Sequence, residues 1–242
     1  MIKTPMIAAL LAAAAISAPA APAFAQTDAA QPALSEAALR FGALYVPVDL
    51  GIESAIVNFD KEFGPAVRAD PNVVALDQRF PGLIDAASKA GRGTMERILR
   101  ARLPEAQRRV AAFAAARLTP AELDVANAYL ASPAGQELQR VMAETADASA
   151  LAQAARETGE PPKLDGQQLM AMVDPAILTR LSKPSLAALI EFSATPAGKK
   201  FNTSGGAFAQ MVASEMNILI ELMKPDIEQA VVGAITAHLG QK

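Results

Sequence analysis

The sequence holds no cysteine and no tryptophan, and only one histidine and two tyrosines among 242 residues. Each scarcity removes a class of chemistry. Without cysteine there is no disulfide, no thiolate nucleophile and no cysteine to carry a lipid. With His238 alone, neither a Ser-His-Asp triad nor a zinc site of ordinary ligands is expected. With Tyr45 and Tyr129 as the whole stock of tyrosine and tryptophan, a sugar-cleaving carboxylate pair lacks its stacking platforms, so Glu122 and Glu191 carry no catalytic expectation. Phosphate-loop, dinucleotide and G-x-S-x-G fingerprints are missing too. No catalytic, cofactor-binding or metal-binding residue is assigned, and no cofactor is expected.

Charge is nearly balanced, 22 Lys and Arg against 25 Asp and Glu, for a net charge of −3. A nucleic-acid partner is therefore not expected. One local exception is the run Arg92, Arg97, Arg100, Arg102, Arg108 and Arg109, read as a solvated helix face, with an acidic surface or anionic lipid as the other reading.

What is present starts with residues 1–25, MIKTPMIAALLAAAAISAPAAPAFA: Lys3, a short apolar run and an Ala-Phe-Ala ending. This is the pattern of a secretory signal peptide cleaved after Ala25, and it places the mature chain in the bacterial periplasm, with secretion as the further possibility. The apolar run is shorter than the ~20 residues that span a membrane, and the mature chain contains no other candidate.

Alanine-rich composition and the lack of alternating strand patterns predict an all-α fold. Ser35 caps a first helix to about Tyr45, and Asp49 a second to about Phe63. The segment 64–93, with four glycines and three prolines, reads as two brief helices, Asp70-Pro71 opening one of them. Thr94 caps a helix to Arg117 with a break or kink at Pro104. Glu157 to Gly166 is the clearest linker, Asp165 caps a helix to about Val173, and Asp174-Pro175 a short one to Leu181. A long amphipathic helix ends near Pro225, and a last one spans Asp226 to Leu239. Thr203-Ser-Gly-Gly206 reads as a local break or kink in that long helix, with a weak alternative as an anion nest beside Lys199 and Lys200.

The strongest internal signal is a repeat. LTPAELDVANAYLASPAGQEL (118–138) aligns without a gap on LSKPSLAALIEFSATPAGKKF (181–201), at a constant offset of 63. In the first copy Thr119, Pro120 and Glu122 form a capping box framed by Leu118 and Leu123. The second keeps Ser182 and the leucines but has Ser185 for Glu122, so its box is half lost. Pro133 and Pro196 stop the first helix of each copy, and Ser132 or Thr195 caps the next. Gly135 and Gly198 leave each corner open to close approach by another helix. Ser132, Pro133, Gly135, Thr195, Pro196 and Gly198 are accordingly candidates for a structural corner or a docking surface.

The residues Leu118-Thr-Pro-Ala-Glu-Leu123, Tyr129 and Ser132-Pro-Ala-Gly-Gln136 resemble the bacterial domain-of-unknown-function family numbered 2059. The resemblance covers about 100–155, with a degenerate second copy at about 167–223. It implies a small helical envelope domain without an established activity, and supplies no site residues.

These readings divide the chain into signal peptide (1–25), N-terminal helical region (26–93), first helical repeat (94–156), linker (157–166), and second repeat with C-terminal helix (167–242). The architecture expected is a helical bundle built on two tandem helix-hinge-helix units. Methionines, including Met170 and Met172, are read as packing residues rather than copper ligands. Phe208, Met211, Val212, Met216, Leu219 and Met223 form an apolar stripe, either core between the repeats or a groove for an apolar ligand or helix. The function expected is a non-enzymatic envelope protein that binds a protein or peptide. A carrier or sensor of an apolar small molecule or lipid comes next, and a hydrolase third.

Overall fold

The computed structural model describes residues 33–145, 153, 163–171 and 176–240, leaving out the side chain of Met170. The signal peptide, most of the linker and Asp174-Pro175 lie outside the described residues. Every regular element within them is helical. In chain order these are α1 (Glu36–Tyr45), α2 (Val48–Arg68), α3 (Pro71–Arg79), α4 (Leu83–Ala115), α5 (Pro120–Ala131), α6 (Pro133–Thr145), α7 (Gly166–Ala171), α8 (Ile177–Arg180), α9 (Lys183–Ala194) and α10 (Pro196–Gly240).

Helix starts follow cap chemistry. Ser35, Asp70, Thr119 and Ser182 each accept a backbone N–H of the first turn through the side chain. Asp165 and Gln168 exchange side-chain to backbone bonds, 2.8 Å in both directions, at the start of α7. Asp49 is not a cap: α2 already begins at Val48, with Pro47 before it.

Interior prolines and glycines stop helices less often than expected. The second helix runs past Gly64-Pro65 to Arg68 because Phe63 and Val67 stay buried along one face. α4 begins at Leu83 after Gly82, whose φ of 91° suits glycine, and continues through Gly91, Gly93, Thr94 and Pro104. Thr94 therefore opens nothing, and the boundary drawn at 93/94 falls inside a helix. Gly91 is a packing position rather than punctuation: an added Cβ would lie 3.0 Å from the Phe59 ring.

The same correction applies to α10. It is one helix of 45 residues across Thr203–Gly206 and Pro225, with neither a break nor a separate last helix. Proline inside a helix costs about 3 kcal/mol. Burial of Met223, Ile227 and Val231 on both sides of Pro225 offsets it.

α4 and α10 run antiparallel as two spines. From one end to the other, Pro81 meets His238, Gly91 meets Val231, Arg97 meets Asp226, Arg109 meets Glu215 and Phe113 meets Phe208. One core fills the end made by α2, α3, the first half of α4 and the second half of α10, around Phe59, Phe63, Met95 and Ile220. A second core joins α1, the end of α4, α5 and the start of α10 around Phe41, Val110, Leu123 and Phe208. A third, smaller one holds Val141, Ile177 and Leu181 from α6, α8 and the entrance to α9.

Between the first two cores lies a polar layer. Arg109 grips Glu215 with two bonds of 2.7 Å, Gln107 donates to the Val46 carbonyl at 2.8 Å, and Asn217 donates to the Leu164 carbonyl at 3.4 Å. No helix among the described residues is long and apolar enough to cross a membrane.

Candidate binding surfaces at the joint of the two repeats

Both corners have the same geometry. In the first, Ser132 Oγ accepts from the Gly135 N–H at 3.2 Å and donates to the Tyr129 carbonyl at 2.6 Å. In the second, Thr195 Oγ1 accepts from Gly198 at 3.0 Å and donates to Phe192 at 2.6 Å. Gly135 and Gly198 are buried against the helix end that precedes them: an added Cβ would collide with the Tyr129 or Phe192 carbonyl oxygen. The close approach that glycine permits is thus made by the corner to itself, not by another helix. Pro133 and Pro196 are exposed, and Ser132 and Thr195 are half-buried and occupied as caps.

The repeats meet through equivalent residues. Tyr129 and Phe192, related by the offset of 63, stack with ring centroids 4.3 Å apart and planes 7° from parallel. This is the contact expected on a local two-fold axis. Around it each copy completes the other's helix start. Glu137 of the first copy accepts from the Ser182 N–H at 2.7 Å, the Ser182 hydroxyl at 2.8 Å and the Ser185 hydroxyl at 2.5 Å. Its equivalent in the second copy, Lys200, donates to Glu122 at 2.8 Å, while Glu122 accepts from the Thr119 N–H. The box that looks half lost in the second copy is completed from the first.

These bonds set the electrostatics. The Ser185 hydroxyl and the Ser182 backbone hold the Glu137 carboxyl below the usual range. Lys200 and the Thr119 N–H hold Glu122 at about 2. A serine beside a carboxylate has the outline of a nucleophile and its base, but a carboxylate stabilised in its charged form is a weak base. The arrangement is a cap. Glu191, the other carboxylate weighed for chemistry, is exposed on α9 and not brought to this cluster.

The apolar stripe of α10 splits between cores. Phe208, Leu219 and Met223 are buried, the first in the second core and the other two in the first core. Met211 and Met216 pack at the edges of those cores and Val212 is half-buried. Among the described residues these side chains pack into or against the two cores, where α10 lies along α4. An apolar cavity at the Gly82 end of the first core, lined by Phe63, Val67, Ile84 and Val231, has a volume of about 20 Å³, far below the ~300 Å³ of a pocket for a lipid or drug-sized ligand.

Five of the six arginines of the run pair with the chain's own acids, while Arg108 is exposed on α4. Arg92 pairs with Asp60, Arg97 with Asp226, Arg100 with Asp49 and Glu96, Arg102 with Glu105, and Arg109 with Glu215. His238 Nε2 lies 3.1 Å from the Pro81 carbonyl and ties the end of α10 to the turn before α4.

One difference between the repeats exposes apolar surface. On the first, α1 covers α5: Ala38 and Phe41 are fully buried, and Asn127, 3% exposed, donates to the Ala37 carbonyl at 2.8 Å. The equivalent of Asn127 is Ile190, which is 63% exposed, and Leu178, next in sequence to Ile177 of the third core, is 48% exposed. Periodicity could have marked Ile190, but only the placement of α1 shows that it is uncovered.

No protein-family model matches the chain, and searches of curated proteins and of solved structures return no match.

Proposed function

We propose that the chain is a non-enzymatic protein of the bacterial envelope that binds a protein or peptide partner through the outer face of its second repeat. The observation that carries this reading is Ile190: a large aliphatic side chain, 63% exposed, at the position where the first repeat seats a helix. Export rests on the signal-peptide pattern of residues 1–25, and the resemblance of the corner to the family numbered 2059 agrees with a small helical envelope domain. A carrier of an apolar molecule stands second; the cavity of about 20 Å³ in the first core is too small to be its site.

The test is site-specific photo-crosslinking in cells from position 190, with position 57 as an equally aliphatic control on α2. A discrete heterologous adduct from 190 alone, lost in an Ile190→Glu variant cross-linked from 178, supports the reading. Equal adducts from both positions, or self-adducts alone, would sink it. Because Ile190 is exposed, Ile190→Glu is expected to change stability by no more than about 0.5 kcal/mol. Export is checked by N-terminal sequencing of periplasmic protein, which is expected to begin at Gln26.

A further inference from the structure

The segment Lys163–Ala171 sits on α10 as a bound peptide would. Leu164 is fully buried, although both its neighbours in sequence are exposed. Two residues on, Gly166 lies directly against the other helix: an added Cβ would come within 2.8 Å of the Gln210 nitrogen and 3.2 Å of the Gly206 carbonyl oxygen. Helix α10 holds this segment by its backbone. The Gln210 side chain accepts from the Gly166 N–H at 2.9 Å, and the Asn217 side chain donates to the Leu164 carbonyl at 3.4 Å. Gln210 and Asn217 are seven residues apart, two turns along one face of the helix.

Lys163–Asp165 is non-helical and α7 begins at Gly166, so the two side-chain amides read backbone groups at a helix entrance: main-chain bonds hold the segment with little regard to its sequence, while the buried leucine and the glycine contact set the specificity. The fit of the internal segment is incomplete. Asn217 is 1% exposed, its donated bond is at the long limit, and its Oδ1 has no partner. A buried acceptor left empty costs about 1–3 kcal/mol. A segment with an N–H directed at that oxygen would recover it.

We propose that the face of α10 between Gln210 and Asn217 is a peptide-binding site, that Lys163–Ala171 is its internal occupant, and that a partner segment carrying a leucine followed two residues later by glycine displaces it. This site is separate from the outer face of the second repeat and does not depend on the reading given to that face. The displaced segment is tethered to its site, so it competes at an effective concentration of roughly millimolar and keeps the site closed to weak binders.

The probe is a fluorescein-labelled peptide of the sequence KLDGQQLMA, titrated into the mature chain and followed by anisotropy. In Gly166→Val the added branches meet the Gln210 backbone and weaken the internal segment. The peptide is expected to bind this variant at least tenfold tighter than the unaltered protein. A second substitution, Asn217→Leu, is expected to abolish binding, as is valine for glycine in the peptide. Equal affinity for the unaltered protein and Gly166→Val, binding that survives Asn217→Leu, or no binding to a Gly166→Val protein of native helix content overturns the proposal. If circular dichroism shows that Gly166→Val has lost helix, Leu164→Ala opens the same site and is judged by the same outcomes.

Discussion

At the scale of single residues, glycine does three different jobs in this chain. Gly135 and Gly198 sit where a Cβ would strike a carbonyl oxygen, Gly91 sits where it would touch the Phe59 ring, and Gly205 and Gly206 have open space around them. Their substitutions should separate accordingly. Gly135→Ala is expected to lower stability by about 1–3 kcal/mol, because backbone must move. Gly205→Ala is expected to raise it by about 0.5–1 kcal/mol, because it stiffens the unfolded chain and adds helix propensity at no steric cost. Urea denaturation of the two variants decides this, and a stabilised Gly135→Ala would show the corner to be looser than its geometry. The sequence marked Gly135 and Gly198 through their repetition. It could not tell that their neighbour is the preceding helix end, since that depends on how sharply the hinge turns.

At the scale of elements, the two repeats lock by exchanging caps. Glu137 and Lys200 occupy equivalent positions with opposite charge, because one faces two serine hydroxyls and a free N–H while the other faces Glu122. This predicts a pH dependence. Both carboxyls are lowered in the folded state, so their stabilisation is fully present above the unfolded value of about 4.3. It is lost as pH falls through the folded values, which extend to about 2 for Glu122. Glu137→Gln should reduce the denaturation midpoint at neutral pH and flatten its decline below about pH 4.5. Parallel pH profiles for the variant and the unaltered protein would show that Glu137 contributes nothing to the joint. Sequence alignment placed 137 opposite 200 but gave no reason to connect Glu137 with Ser185, 48 residues away. Only the packing of α6 on α9 brings them together.

At the scale of the whole molecule, α4 and α10 carry two apolar cores with a polar layer between them. Glu215 is 8% exposed at its side chain and depends on Arg109, which is 43% exposed. Arg109→Met leaves that carboxylate unpaired and is expected to cost about 3 kcal/mol, the low end for a broken buried pair because Arg109 reaches water. Replacing both, Arg109→Met with Glu215→Leu, is expected to return stability to within about 1 kcal/mol of the unaltered protein. A double variant as unstable as Arg109→Met alone would mean that the pair contributes more than it costs to bury. In the sequence Arg109 was one of six arginines of equal appearance, and Glu215 an interruption in an apolar stripe. Their pairing across 106 residues is set by the antiparallel register of the two spines.

The sequence by itself determined what is local. Helical class follows from alanine content and the absence of strand patterns, and the starts at Ser35, Asp70, Thr119, Asp165 and Ser182 follow from side chains that bond the next turn. The two corners follow from proline after a capping hydroxyl. The tertiary structure decided what those rules leave open: that Thr94, Pro104, Gly205 and Pro225 lie inside continuous helices, that Phe208 and Met223 belong to different cores, and that Ile190 is uncovered where Asn127 is not. The reason is one of energy scale. A proline or glycine penalises a helix by about 1–3 kcal/mol, and burying two or three large side chains on the same helix outweighs that, at about 1.5–3 kcal/mol each.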